Sequence, residues 1–326
     1  MAADADKRET VDLDDLVAST DTGARSPKGW VGVLLLGGAL FWSVFQIYYA
    51  SPLPFTLTAL TGLNFTLNDT EARAIHLALA LFLGFMAYPM RKRSPRDRIP
   101  IQDWVFATAG AFCAAYIWFM YAALADRPGL PTTTDIVVSV IGLICLLEAT
   151  RRALGPPLMI VALVFLAYVF FGDSSIIPDA IRWKGASLNK AMSHMWLTTE
   201  GVFGIALGVS TSFVFLFVLF GSLLDRAGAG NYFIQVAFAM LGHLRGGPAK
   251  AAVVSSGMTG LISGSSIANV VTTGTFTIPL MKRVGFTGEK AGAVEVASSV
   301  NGQIMPPVMG AAAFLMVEYV GISYVE

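Results

Sequence analysis

Charge is what this sequence has least of. Asp, Glu, Lys and Arg make up 13% of its 326 residues, where an average soluble chain carries about 25%. The two signs balance at 22 each, so no basic excess points to a nucleic-acid partner. Cysteine is nearly absent. Cys113 and Cys145 both lie in apolar stretches, where a thiol packs as a small hydrophobe, and no disulfide framework follows from them. His76, His194 and His243 are scattered without ligand spacing, which excludes a histidine zinc site. A phosphate-cradling Gly-Lys loop is also missing, which argues against direct ATP hydrolysis. Serine-rich "SSG" at 255–257 and "SGSS" at 263–266 invite comparison with an intramembrane serine protease. That chemistry needs a base beside the serine, and the only histidine inside an apolar span, His76, lies in a different one.

Apolar sequence is there in quantity. Hydrophobic residues make up 55%, and the mean hydropathy is +0.65. Several runs reach the roughly 20 residues that cross hydrocarbon. The composition predicts an all-α polytopic membrane protein whose first partner is the lipid bilayer. Residues 1–29 are polar and mixed in charge and read as a solvated cytoplasmic tail. The first apolar run, 30–50, ends in Tyr48-Tyr49-Ala50 rather than a small-x-small cleavage site, so it reads as a retained span and not a signal peptide. Spans are expected near 30–50, 72–90, 104–125, 135–150, 156–172 and 201–224. Lys and Arg alternate across the gaps: four in the tail, none in 51–71, five in "RKRSPRDR" at 91–98, one in 126–134, then Arg151 and Arg152. By the positive-inside rule this places the N-terminus in the cytoplasm and the 173–200 loop outside.

After Arg226 the pattern changes. Residues 231–246 are too short and too amphipathic to span, and read as an interfacial helix. The next pieces, 248–263 and 267–282, would each be about 24 Å long, against a hydrocarbon core of roughly 30 Å. Basic residues bound both outer ends (Arg245 and Lys250, then Lys282 and Arg283). Two short pieces with both outer ends on one side form a re-entrant hairpin, with its tip at Ser263-Gly264-Ser265-Ser266. A last segment, 289–320, is interrupted at 298–310, where Gly302 and Pro306-Pro307 cannot continue a regular helix. Non-helical backbone at that depth is tolerated only when buried in protein or lining a wet cavity. Discontinuous helices at the midplane point to a transporter binding site.

From Ser263 to Thr275, nine of thirteen residues are Ser, Thr, Gly or Asn. Helix ends at the tip would aim free carbonyls and free N–H groups at one place, the first suited to a cation and the second to an anion. Ser263, Gly264, Ser265, Ser266, Asn269, Asn301 and Gly302 are the candidate Na⁺ ligands, since neutral hard oxygens without a carboxylate cage suit Na⁺. Ser266, Thr272, Thr273, Pro306 and Pro307 are the candidates for the substrate side. The competing reading is tight helix packing through small residues; the clustering beside two adjacent breaks favours the site. Glu295 lies in an embedded run, where it would relay protons, help hold a cation, or pair with a neighbouring helix. Glu148 before Arg151 and Arg152 reads as a local ion pair, and Asp103 and Asp135 suit helix N-termini.

At these residues the chain resembles a known family. "GLISGSSIANVVTTGTFTIPLMKRVGF" and "NGQIMPPVMGAAAFLMVEY" resemble the large permease subunit of the tripartite ATP-independent periplasmic (TRAP) transporters. The four preceding spans, ending in "LLEATRRALG", resemble the small permease subunit joined in front, as in fused permeases with four and twelve spans. The resemblance implies Na⁺-driven uptake of small organic acids, dicarboxylate-like or glutamate-like, across a bacterial or archaeal inner membrane. It implies a separate periplasmic binding protein, TAXI-type for fused permeases, and no cofactor beyond Na⁺ as coupling ion. On this reading 1–29 is the tail, 30–152 the small-permease unit, 153–225 two scaffold spans, 226–246 the arm helix and 247–326 the first half of an elevator-type transport domain. The second hairpin and broken helix would be supplied by a missing C-terminal half. A cation channel using the same oxygens as a filter, or a non-transporting scaffold, are the rival readings. We expect the 326 residues alone, in proteoliposomes, to give no Na⁺-dependent uptake; measurable uptake would contradict the half-site reading.

Overall fold

The computed structural model describes residues 24–25, 27, 29–91, 94–95, 98–175, 177–263, 266–305 and 310–323. These are helices and connections, with no strand among the described residues. Most of the expected 1–29 tail lies outside them. The chain divides into two compact units, one over Ala24–Ser212 and one from Phe213 onward.

The first unit holds α1 (Trp30–Ala50), α2 (Leu53–Thr61), α3 (Asp69–Ala87), α4 (Ile101–Phe119), the single turn α5 (Tyr121–Ala125), α6 (Thr133–Leu154), α7 (Pro156–Phe171), α8 (Leu188–Met192) and α9 (Ile205–Val209). Helix starts are written locally. Asn68 and Glu71 form a reciprocal capping box before α3, and Thr132 and Asp135 form another before α6; each satisfies two donors that a helix start leaves free. Gly155, at φ 87°, closes α6, and Pro156-Pro157 opens α7, the order in which glycine ends and proline begins a helix. Helix α1 is strongly apolar, and its residues are exposed or half-buried except for the buried Gln46, the pattern of a span with one face to lipid.

The core joins α3, α4 and α6 through Leu77, Leu81, Phe85, Cys113, Ile117 and Cys145. Both cysteines are buried free thiols. At one end of this core sits a chain of ion pairs. Asp103 lies 2.8 Å from Arg25 and 2.7 Å from Arg152, all three side chains buried, and Arg152 also holds Glu148 at 2.8 Å. The Arg152 guanidinium lies over the rings of Phe85 and Phe106, a cation–π contact. Arg151 pairs with Glu148 and donates to the carbonyl of Met90 at 3.1 Å. The expected Glu148 pair is therefore part of a larger network. Arg25, which the sequence places in a solvated tail, is instead buried there because Asp103 supplies its countercharge.

The 173–200 connection, expected as an external loop, also contributes to the core. After α8 a π-helical turn, Ser193–Leu197, carries a fully buried Trp196. Its indole N–H donates to the carbonyl of Cys113 at 3.2 Å, and the ring fills the space above Gly142, where an added Cβ would stand 2.3 Å away. The span expected at 201–224 becomes helical only at Ile205, and Arg73 donates to the carbonyls of Phe203 and Gly204 just before it at 2.8 and 3.0 Å. Its second π turn, Ser210–Val214, receives polar side chains from α1 and α3. Gln46, fully buried, donates to the Thr211 carbonyl at 2.6 Å. The Trp42 indole donates to His76 Nδ1 at 3.1 Å, leaving the ring proton on Nε2 facing Ser210 Oγ at 3.2 Å. The span expected at 104–125 is interrupted at Met120, and the expected 51–71 loop contains α2, whose Pro52 and Pro54 sit where a first turn tolerates them. Among the described residues four helical runs are long and apolar enough to cross a membrane: Trp30–Ala50, Asp69–Ala87, Thr133–Leu154 and Ile205–Leu224.

The second unit holds α10 (Phe215–Arg226), α11 (Ala229–Leu241), α12 (Gly247–Ser263), α13 (Ser266–Arg283), α14 (Gly288–Asn301) and α15 (Gly310–Val320). Helix α11 begins at left-handed Gly228 and packs along α12, burying Ile234 and Ala237. Helices α12, α13 and α14 pack on one another in all three pairings. Ala252, Met281 and Ala291 form their apolar base.

The ion-pair network yields a stability test. Asp103→Asn leaves two buried guanidiniums facing a neutral amide, and removing one partner of a buried pair costs about 3–5 kcal/mol. A large drop in thermal midpoint in detergent is expected, while Asp179→Asn, whose partner Arg182 is solvent-accessible, stays within about 0.5 kcal/mol of wild type. Equal midpoints for the two variants would contradict the network's role.

Candidate functional site

Helices α12 and α13 form the hairpin read from the sequence, within one residue of its expected bounds. At 1.5 Å per residue they are about 26 and 27 Å long, short for a bilayer. Helix α14 ends at Asn301, and a turn over 302–305 follows. The tip residues Gly264 and Ser265, the side chain of Ser263, and Pro306 and Pro307 lie outside the described residues.

The hairpin and the end of α14 approach closely because two glycines meet. An added Cβ on Gly260 would stand 2.2 Å from the Cα of Gly302, and one on Gly302 would stand 2.8 Å from the Cα of Gly260. No larger residue fits this crossing. Beside it, Asn269 is 1% exposed, and its amide donates to the Ser256 carbonyl at 2.8 Å and the Ser256 hydroxyl at 2.9 Å. Its Oδ1 is buried and accepts no hydrogen bond from the described residues. Ser256 Oγ meets Ser299 Oγ at 3.2 Å, and Ser299 lies 3.4 Å from a carboxylate oxygen of Glu295. Glu295 is fully buried and takes the hydroxyls of Thr273 and Thr277 as its closest partners. Gly274 leaves room for it: a Cβ there would touch its Cγ at 3.2 Å. At the tip end, Gln303 donates to Ser266 Oγ at 3.1 Å, so the start of α13 and the turn after α14 also meet.

Helical spacing explains who faces whom. Asn269, Thr273 and Thr277 recur every fourth residue on α13, and Glu295 and Ser299 do so on α14; residues four apart share one face. Of the sequence candidates, Ser266, Asn269, Thr273, Glu295 and Gly302 are brought together. Thr272 and Asn301 are not. Thr272 sits off the inward stripe, half-buried, and the Asn301 side chain is exposed and joins none of these bonds. Ser256, Gly260, Thr277, Ser299 and Gln303 belong to the cluster but were not among the candidates. The four-residue stripes on α13 and α14 are the signal that would have found Thr277 and Ser299. Glu295, read from sequence as a relay, a cation ligand or an ion-pair partner, forms no ion pair among the described residues. Groups of three or more metal-ligating His, Cys, Asp or Glu are likewise absent among the described residues.

A polytopic helical chain with a short helical hairpin packed on an interrupted helix has the build of a secondary-transporter component. Comparison with known proteins agrees. Residues 141–326 match the family model "Tripartite ATP-independent periplasmic transporter, DctM component", and the chain belongs to this family. The C4-dicarboxylate TRAP transporter large permease protein DctM of Rhodobacter capsulatus is 35% identical over 91 residues, which cover 28% of this chain and 21% of that protein. The ectoine TRAP transporter large permease protein TeaC of Halomonas elongata is 30% identical over 95 residues, 29% and 22% of the two chains. DctM of Pseudomonas aeruginosa is 33% identical over 130 residues, 40% and 27% of the two chains. The matched stretch thus spans about a fifth to a quarter of these relatives. No solved structure matches the chain. The family consists of multi-pass inner-membrane transporter permeases and not of enzymes.

The glycine crossing can be tested directly. Gly260→Ala drives a methyl into backbone and is expected to cost about 1–3 kcal/mol, as overpacking does. Gly292→Ala on α14 meets nothing within 4 Å and gains helix propensity of about 1 kcal/mol. Thermal midpoints that fall for the first and hold or rise for the second are expected; a Gly260→Ala protein as stable as wild type would refute the close approach.

Proposed function

We propose that this chain is the membrane permease component of a Na⁺-coupled TRAP transporter that takes up small organic acids delivered by a periplasmic binding protein. The observation that carries the reading is the packing of the α12–α13 hairpin on the end of α14. It gathers Asn269, Ser256, Ser299, Thr273 and Glu295 into one buried group of oxygens in a chain of this family. Such oxygens are hard donors, and hard donors of low total charge favour Na⁺ over softer or more highly charged ions. The Ser263–Ser266 tip, Asn301 and Gly302 complete the proposed Na⁺ site. Ser266, Thr272, Thr273, Pro306 and Pro307 are the proposed substrate-side residues.

The names of relatives support an anionic or zwitterionic substrate: two are named for C4-dicarboxylates and one for ectoine. For this chain we propose a small carboxylate and a TAXI-type binding protein. We also propose that 30–152 serves as a fused small-permease unit, and that its basic connections face the cytoplasm. A second hairpin and broken helix, in a C-terminal half, would complete the site. The moving part in an elevator cycle would be the region after 247.

Proteoliposomes holding the complete permease, with the binding protein and radiolabelled dicarboxylate outside, test this reading. Uptake is expected to need Na⁺ and the binding protein, and Asn269→Ala is expected to raise the Na⁺ concentration for half-maximal uptake several-fold. Asn301→Ala is expected to raise it as well. Uptake that is indifferent to Na⁺, or Na⁺ dependence unchanged by Asn269→Ala, would contradict it.

A further inference from the structure

The basic connection between α3 and α4 has no part in the proposed transport chemistry, yet the fold fixes where it stands. The sequence puts five basic residues against one acid in 91–98, and of these Arg91 and Arg98 are described and exposed. The residues leading into it are pinned at their carbonyls. The Arg25 backbone N–H donates to Ala87 at 2.8 Å, the Arg152 guanidinium to Tyr88 at 3.4 Å and that of Arg151 to Met90 at 3.1 Å. Just past the connection, Asp103 in the first turn of α4 closes on Arg25 and Arg152. A tight turn sets Arg91 itself: the Ser94 N–H donates to the Arg91 carbonyl at 2.9 Å, and the Arg91 N–H to Ser94 Oγ at 3.3 Å. The basic turn is therefore seated on the ion-pair network.

That network adds positive charge instead of cancelling it. Three guanidiniums, of Arg25, Arg151 and Arg152, share two carboxylates, Asp103 and Glu148. Nε and Nη2 of Arg25 and Nη2 of Arg152 are buried without a hydrogen-bond partner among the described residues. Both acids are already held, and Arg91 and Arg98 form no ion pair among the described residues. An anion is the missing component. Phosphate suits guanidinium because its oxygens accept paired N–H bonds.

Apolar side chains beside the turn say which phosphate. Trp30 stacks on Trp104 of α4 with ring centroids 5.9 Å apart and is 69% exposed. Tryptophan at a span end marks the depth of the head groups. From Trp30 the exposed side chains of Val33, Leu36, Leu40 and Val44 continue along α1 at the three- and four-residue spacing that keeps one helix face. A phosphate at the turn with acyl chains along that stripe is a phospholipid.

We propose that the turn carrying Arg91 and Arg98, seated on the Arg25–Asp103–Arg152 network beside Trp30, is a docking surface for the head groups of anionic phospholipids. It stands apart from the transport reading and needs neither Na⁺ nor substrate.

The test uses the whole purified chain, delipidated in neutral detergent and titrated with phosphatidylglycerol or phosphatidylcholine. Bound lipid is counted by native mass spectrometry, and the thermal midpoint is followed. Wild type is expected to bind phosphatidylglycerol and be stabilised by it, and not by phosphatidylcholine, with binding that weakens as KCl screens the charges. Arg91→Gln/Arg98→Gln is expected to bind phosphatidylglycerol about 30-fold more weakly, about fivefold for each basic residue removed near a lipid surface. Arg91→Lys/Arg98→Lys keeps most of the binding. Lys184→Gln/Lys190→Gln removes the same charge from exposed positions in the 173–200 connection and is expected to bind as wild type does. Circular dichroism checks folding; should the glutamine variant not fold, the KCl titration of wild type decides, and binding indifferent to salt counts against the proposal. Equal affinity for the two lipids, or a glutamine variant that binds phosphatidylglycerol like wild type, would overturn it. So would an equal loss in the Lys184→Gln/Lys190→Gln control. Inorganic phosphate or polyglutamate giving the same stabilisation without lipid would also overturn it, assigning the surface to a soluble anion or an acidic protein.

Discussion

A carboxylate held out of water with hydroxyls as its polar partners among the described residues sets the terms for the helices after Phe213. To shelter Glu295, α13 and α14 must lie close enough for threonine side chains to reach it, which Gly274 allows by having none. To extend the shelter to Asn269, α12 must approach the end of α14, which the Gly260–Gly302 contact allows. The hairpin, the helix break and the polar stripe are thus one requirement met three ways. The hydroxyls and the Glu295 carboxylate find partners inside the protein because lipid offers none; among the described residues Asn269 Oδ1 is the exception.

The two units solve the problem of buried polarity differently. In Ala24–Ser212 the charges are matched: Arg25, Asp103, Arg152 and Glu148 form a closed chain of opposite signs, and Asp135 is bound by Arg127, Tyr116 and the Thr132 cap. Neutral groups are tied in as well: the Gln46 amide N–H donates to the Thr211 carbonyl, though its Oε1 is buried without a partner among the described residues, and Trp42 and His76 reach Ser210 of the same π turn. Matched charges make a fixed scaffold. After Phe213 the buried polar group holds a carboxylate with no opposite charge beside it among the described residues, and is rich in hydroxyls that can turn. Groups of that kind suit a place where a small ion comes and goes.

Much of this was legible in the sequence. Four of the six expected spans, near 30–50, 72–90, 135–150 and 201–224, answer to helices long and apolar enough to cross a membrane among the described residues; those expected at 104–125 and 156–172 do not. The hairpin was legible because its two pieces are too short to cross and end in basic residues. Glu295 stood out as a charge where charge is expensive. What escaped was whatever depended on partners distant in sequence. Trp196 reads as loop until Gly142, more than fifty residues earlier, is known to leave it a cavity. Arg25 reads as tail until Asp103 is placed opposite. Asn301 and Thr272 have suitable chemistry, yet helical phase turns them off the stripe that Thr277 and Ser299 occupy. Residue type pointed to this cluster of polar side chains; phase and packing decide which of them meet.

The central claim is that hairpin and broken helix hold a cation as one unit. Backbone hydrogen exchange across residues 256–303, compared in Na⁺ and K⁺ at equal ionic strength and pH, addresses it most directly. The account predicts slower exchange in Na⁺ on both sides of the Gly260–Gly302 contact, in α12 and α13 and at the end of α14 together, with helices α3, α4 and α6 unchanged. Exchange that is identical in the two salts throughout this region, or that slows in the hairpin alone, would contradict it.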